Sequence, residues 1–248
     1  MKNILEIKKL KKAYGEKQVV KEISFKVKEG EILGFLGPNG AGKSTTINMI
    51  ATVVDSDSGE ILFTDKPIKN KEKVFKTSLG VVPQELAFFS DLTAYDNVKF
   101  FCSLYGIGGE ELKKSVKEAL EFVGLWDRRK EYPDSFSGGM KRRLNIACAI
   151  AHKPRLLIMD EPTVGIDPQS RNNILEAIKK LNKLGITIIY TSHYMEEVEA
   201  LCSRILIMDE GEIIEQGDKE YIKEKYRTLN KYNLEEIFLY LTGKELRD

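Results

Sequence analysis

One nine-residue stretch, Gly37-Pro38-Asn39-Gly40-Ala41-Gly42-Lys43-Ser44-Thr45, constrains this chain more than any other. It completes the pattern Gly-x-x-x-x-Gly-Lys-Ser. An apolar run at 31–36 before it reads as a buried strand, and 44–54 after it reads as a helix. The glycines let the loop tighten until its backbone N–H groups converge on phosphate oxygens, and the helix N-terminus adds positive potential. In that setting Lys43 reaches β- and γ-phosphates, and the Ser44 hydroxyl reaches a magnesium ion. A turn of purely structural use has no need of the Lys-Ser pair.

A strand–loop–helix unit of this kind belongs to an α/β chain, and the remaining pattern agrees. Short apolar runs alternate with longer amphipathic segments, which predicts a mostly parallel sheet covered by helices: a P-loop NTPase core. Early strands at 4–10 and 19–27 come without an intervening helix, so an antiparallel β portion is expected at the N-terminus. Strands follow at 59–63 and 78–82, and helical spacing at 97–104 and 110–123 predicts a small helical subdomain inserted at about 86–133. Alternation resumes with a helix at 141–151, a strand at 156–159, a helix at 169–184, a strand at 186–191 and a helix at 194–201. A hairpin is expected from 205–208 and 212–215 around Glu210-Gly211. With no linker-like tract, residues 1–248 read as a single domain ending in an amphipathic tail at 218–248. Its apolar stripe, Leu234, Ile237, Phe238 and Leu241, packs either on the chain's own body or on a partner.

The second chemical signal is Leu156-Leu157-Ile158-Met159-Asp160-Glu161, four apolar residues ending in two carboxylates. A buried strand delivers such a pair to the carboxyl edge of the sheet, where ligands bind in these folds. Alternation points the two side chains in different directions. Asp160 then fits the magnesium side, and Glu161 fits the polarisation of water attacking a γ-phosphate. Standing alone, such a pair could equally cap a helix or face solvent.

The third signal, Ser135-Phe136-Ser137-Gly138-Gly139-Met140-Lys141, leads into a helix. Here the sequence resembles the ATP-binding cassette (ABC) ATPases, whose signature is Leu-Ser-Gly-Gly-Gln; Phe136 replaces the Leu and Met140 the Gln. The resemblance extends over nearly the whole chain. It implies that Ser137, Gly138 and Gly139 bind the γ-phosphate of ATP held by a second copy, in a two-ATP sandwich. It also implies that Tyr14 stacks on adenine, although a plain strand-end tyrosine fits the same position. Gln84 would touch magnesium and the attacking water, Asp167 would lie in a loop crossing the dimer interface, and His193 would contact the γ-phosphate. By itself Gln84 reads as a surface amide, Asp167-Pro168 as a turn before a helix and His193 as a structural histidine.

Composition narrows the class. With 39 Lys+Arg against 38 Asp+Glu the net charge is +1, which argues against a dedicated nucleic-acid binder. The most apolar stretches are about a third of the roughly 20 residues needed to cross a bilayer. The N-terminus mixes Lys and Glu with its apolar residues, so a secretory leader is not expected. Three well-separated cysteines fit a reducing compartment and no zinc site.

Between Lys43 and Ser137 there are no sustained heptads, unlike ABC proteins that act on chromosomes, and the chain carries one cassette where translation-type members usually carry two. The resemblance therefore implies a transporter ATPase driving a separate transmembrane permease subunit from the cytoplasmic face of the cell membrane. A soluble ABC ATPase acting on nucleic acid or ribosomes is the alternative. The stretch Asp91-Leu92-Thr93-Ala94-Tyr95-Asp96-Asn97-Val98 and the tail around Ile237 resemble exporters, a group with drug exporters and sodium-extruding pumps. The short length leans toward the sodium-pump type.

Overall fold

The computed structural model describes residues 2–70 and 72–243. The chain divides into two compact units, one formed by Met1–Phe75 with Thr187–Asp248 and the other by Lys76–Ile186.

In the first unit β1 (Asn3–Tyr14) and β2 (Lys17–Lys28) form a long antiparallel hairpin. Both strands outrun the apolar residues that mark them, because the backbone ladder continues through their Lys-rich ends and Lys11 pairs across it with Glu22 at 2.7 Å. β3 (Ile32–Leu36) is buried at every position and leads into the loop before α1 (Lys43–Ile50). That helix stops short of the expected residue 54, because Thr52 takes a left-handed φ of 59°. β4 (Ser58–Phe63) and β5 (Lys66–Pro67) complete an antiparallel sheet in the order β2-β1-β4-β5.

The chain then enters α2 (Glu72–Ser78), a helix the apolar periodicity does not announce, and passes into the second unit. There β6 (Leu79–Val82) pairs in parallel with a later strand, β7 (Leu156–Asp160), with Val82 opposite Met159. Between them lie α3 (Ala94–Ser103), α4 (Gly109–Phe122) and α5 (Gly138–Ile150). α3 starts three residues before the apolar pattern because Thr93 caps it, accepting a hydrogen bond from the Asp96 N–H at 3.1 Å. α5 is buried along most of its length, and α6 (Pro168–Lys183) buries Ile174, Ile178 and Leu181.

Back in the first unit, β8 (Thr187–Thr191) lies parallel to β3, with Gly34 opposite Tyr190. After α7 (Met195–Leu201), β9 (Arg204–Asp209) pairs in parallel on the other side of β3. β10 (Glu212–Asp218) turns back antiparallel on β9, the expected hairpin. The tail is two helices, α8 (Lys219–Arg227) and α9 (Leu234–Thr242). α9 packs on α7 and α8, so three residues of the apolar stripe, Leu234, Ile237 and Phe238, are covered by the chain's own body, while Leu241 is half-buried. Residues 244–248 of the tail lie outside the described residues.

Candidate functional site

The loop after β3 is shaped for phosphate. Gly42 holds φ 103°, and a Cβ there would sit 2.6 Å from the Val19 carbonyl oxygen and 2.7 Å from the Met208 methyl, so only glycine fits. Lys43, 7% exposed, donates from Nζ to the carbonyls of Gly37 at 2.6 Å and Pro38 at 3.1 Å. Its ammonium is thus folded over the loop, whereas Ser44 at the head of α1 is exposed. No side chain caps that helix, and its N-terminus carries the positive potential that suits an anion. Pro38 is buried, Asn39 and Gly40 are exposed at the loop's tip, Ala41 is buried and Thr45 is half-buried.

The loop is braced by the Glu210-Gly211 turn, which the sequence marks as a hairpin but not as a partner of this loop. The Gly211 N–H donates to the Ala41 carbonyl at 3.0 Å, while Lys21 N–H donates to the Gly211 carbonyl at 2.8 Å. The β9–β10 hairpin is thereby tied to both the loop and β2.

His193 follows β8, and the parallel register of β3 with β8 brings it to the same carboxyl edge as Gly37. Its turn is fixed from below. The buried Glu197 carboxylate accepts from the Ser192 hydroxyl at 2.6 Å and from the Tyr190 hydroxyl at 2.7 Å. Ser192 Oγ in turn accepts from the Tyr194 N–H at 2.9 Å. Tyr14 ends β1 with its ring 52% exposed and the Lys12 ammonium 5.6 Å from the ring centre.

The second unit carries the carboxylates and the signature. Gln84 stands two residues past Val82, and Glu161 two past Met159, so the β6–β7 register sets both at one carboxyl edge. Asp160 is half-buried at the end of β7. Glu161 is 7% exposed and takes a left-handed φ of 48°. For a glutamate that is a strained conformation, of the sort concentrated at functional sites.

Ser137 caps α5, accepting from the Met140 N–H at 3.3 Å, and is exposed together with Gly138. Gly139 is buried where a Cβ would meet Ser170 Oγ at 2.3 Å, so α5 and α6 approach too closely for any side chain there. Asp167 caps α6, accepting from the Ser170 N–H at 2.9 Å, a bond that holds its carboxyl below the usual range. The turn-and-helix role that Asp-Pro suggests is therefore met. The two departures from the signature share one neighbour: the Arg128 guanidinium lies 5.6 Å from the Phe136 ring centre and donates to Met140 Sδ at 3.3 Å.

Among the described residues, no three or more His, Cys, Asp or Glu side chains gather as a metal site. Magnesium delivered on nucleotide phosphates needs only one or two protein oxygens, and the hydroxyl, carboxylate and amide of Ser44, Asp160 and Gln84 are hard oxygen donors suited to it. Among the described residues no helix is long and apolar enough to cross a membrane.

A strand-borne phosphate loop with its lysine, plus a strand-end carboxylate pair, defines a nucleoside-triphosphate-binding protein of the P-loop class. The sequence profile of the family described as ABC transporter matches residues 20–164, and the chain belongs to that family; it is an ABC ATPase. It is 56% identical over 216 residues to the linearmycin resistance ATP-binding protein LnrL of Bacillus subtilis (strain 168), covering 87% of this chain and 70% of that protein. It is 42% identical over 213 residues to the Nod factor export ATP-binding protein I of Paraburkholderia xenovorans (strain LB400), covering 86% and 70%. The dimeric structure of a post-hydrolysis state of the ATP-binding cassette MJ0796, bound to ADP and Pi, superposes with a TM-score of 0.76 at 28% identity, covering 86% of this chain and 98% of that one.

Proposed function

We propose that this chain is the ATP-hydrolysing subunit of an exporter, driving a separate membrane subunit through ATP-dependent pairing of two copies. The observation that carries the reading is the Gly42–Lys43 geometry, a glycine-only turn that aims a buried ammonium at a loop of phosphate-binding shape. Membership of the ABC transporter family supports the coupling to transport, and the names of the resistance and export relatives support the outward direction. The soluble alternative acting on nucleic acid or ribosomes has no such support.

In this reading residues 1–248 act as one ATPase domain. The loop 37–45 cradles the phosphates, with Lys43 releasing the Gly37 and Pro38 carbonyls to take the β- and γ-phosphate oxygens. Tyr14 offers its exposed ring to adenine. Ser44, Gln84 and Asp160 would hold magnesium, which would supply charge neutralisation on the phosphates. Glu161 takes a proton from the attacking water, and His193 donates to the γ-phosphate. Ser137, Gly138 and Gly139 of a second copy close over the same γ-phosphate, and Asp167 lies beside them. Hydrolysis removes the group that bridges the two copies, so they part. The dimeric ADP- and Pi-bound relative supports this cycle.

The membrane subunit needs a docking patch. Phe89 and Phe100 are exposed with ring centres 5.1 Å apart, and Phe101 lies 6.0 Å from Phe89. An exposed aromatic cluster of this kind is an interaction surface by default. We place the permease there, with the chain at the cytoplasmic face of the cell membrane.

The test is Glu161→Gln. ATP affinity should remain within about threefold of the parent while turnover falls at least about a hundredfold. With ATP the variant should sediment as a dimer and with ADP as a monomer. Normal turnover, or a monomer in saturating ATP, would sink the reading.

A further inference from the structure

Arg142 is a charge with no assigned task. It lies one turn into α5, 5% exposed, and burial pulls its pKa down. Among the described residues no carboxylate pairs with it. Its guanidinium instead donates to two successive backbone carbonyls, Pro83 through Nη1 at 3.0 Å and Gln84 through Nη2 at 2.8 Å. Its Nε is buried without a hydrogen-bond partner. Burying a cation against neutral carbonyls with one donor unmet is costly, so a site that retains it uses the fork's geometry.

A second residue on the same face of α5 grips the same loop. Asn145, three positions on, accepts the Ala87 N–H on its Oδ1 at 3.2 Å. The loop 83–87 is therefore held at two points by the helix whose N-cap is Ser137.

We infer that Arg142 is a positioning residue that locks the backbone of Gln84 to the helix bearing Ser137-Gly138-Gly139, so that the two move as one body. This rests on the role proposed for Gln84 above. The planar fork matters: two donors at fixed spacing meet two consecutive carbonyls and set the peptide plane from which the Gln84 side chain projects. When Ser137 engages a γ-phosphate, the displacement of α5 is carried directly to Gln84. Readiness of one nucleotide site is thereby reported to the loop that leads to Phe89. Arg142 itself touches neither nucleotide nor water.

A double-mutant cycle on the full chain tests this, with ATPase rates and ATP affinity measured for the parent, Arg142→Met, Gln84→Ala and the double variant. Arg142→Met should lower kcat about tenfold with ATP affinity unchanged, a plausible result of sub-ångström misplacement. In the Gln84→Ala background the same change should have almost no further effect. Arg142→Lys, which keeps the charge but loses the planar fork, should give an intermediate kcat, and it serves in place of Arg142→Met if the latter fails to fold. Effects that multiply in the double variant, or an Arg142→Lys and Arg142→Met kcat equal to the parent's, would overturn the inference. If Gln84→Ala alone leaves kcat unchanged, the reading of Gln84 fails and the positioning role falls with it. A reduced kcat in Gln84→Ala with multiplying effects overturns Arg142 alone.

Discussion

Glu161 and Glu197 are both buried, yet they do different work. Glu161 occupies a left-handed backbone position that costs a non-glycine residue about 1–2 kcal/mol, stabilisation given up where the strand ends in order to aim one carboxylate. Its place at the end of a buried strand could be read in the sequence, because an acidic pair ending an apolar strand is a compact local pattern. Glu197 could not. In the chain it is one of several acids around Met195 and Val198, and only the fold places it beneath Tyr190 and Ser192. Replacing it by alanine removes the carboxylate that two buried hydroxyls donate to, so Glu197→Ala should destabilise by about 2 kcal/mol in urea unfolding. Because those hydroxyls fix the turn before His193, kcat should also fall, by about tenfold, with ATP affinity kept. Unchanged kcat at lowered stability would reduce Glu197 to a packing residue.

Elements were legible where local chemistry decides them and blurred where tertiary contact does. β3 and β7 announce themselves as short apolar runs because every residue is buried or nearly so. β1 and β2 extend past their apolar cores because a backbone ladder needs no apolar side chain to continue through lysines. The start of α3 was set by the Thr93 cap, a signal the apolar spacing does not register. The packing of α5 on α6 left a trace in Gly139, but its reason, Ser170, stands on the next helix along and was invisible until the fold joined them. Gly139→Ala should therefore cost about 1–3 kcal/mol through overpacking. Adding Ser170→Gly opens the space that the new Cβ needs, so the double variant should regain a good part of the lost melting temperature. Equal melting temperatures for the single and double variants would show that the close approach is not what the glycine serves.

At the scale of the whole molecule the near-cancellation of charge removes any bulk attraction to lipid or nucleic acid, leaving specific contacts to set its partners. Its response to acid is then governed by individual buried groups. His152 is the clearest. Its ring stacks flat on Tyr105 with centres 3.6 Å apart, and its Nε2 lies 2.9 Å from the Leu79 carbonyl oxygen. Burial pushes its pKa down to about 4 from the ordinary 6.5, so the folded chain keeps it neutral. Between pH 6.5 and 4 the unfolded chain binds a proton there that the folded chain does not, so stability falls as pH falls through that window. The full contribution is of order 3 kcal/mol at most. Paired carboxylates such as Asp57, held below its usual value by the Lys12 side-chain hydrogen bond, add their loss at lower pH. The histidine window can thus be separated from theirs. In His152→Gln the amide can still donate to Leu79, but nothing titrates. Its drop in melting temperature from pH 7 to pH 5 should be clearly smaller than the parent's, even if its stability at pH 7 is lower. An identical drop would mean that His152 charges in the folded state as readily as in the unfolded one, and that acid acts elsewhere.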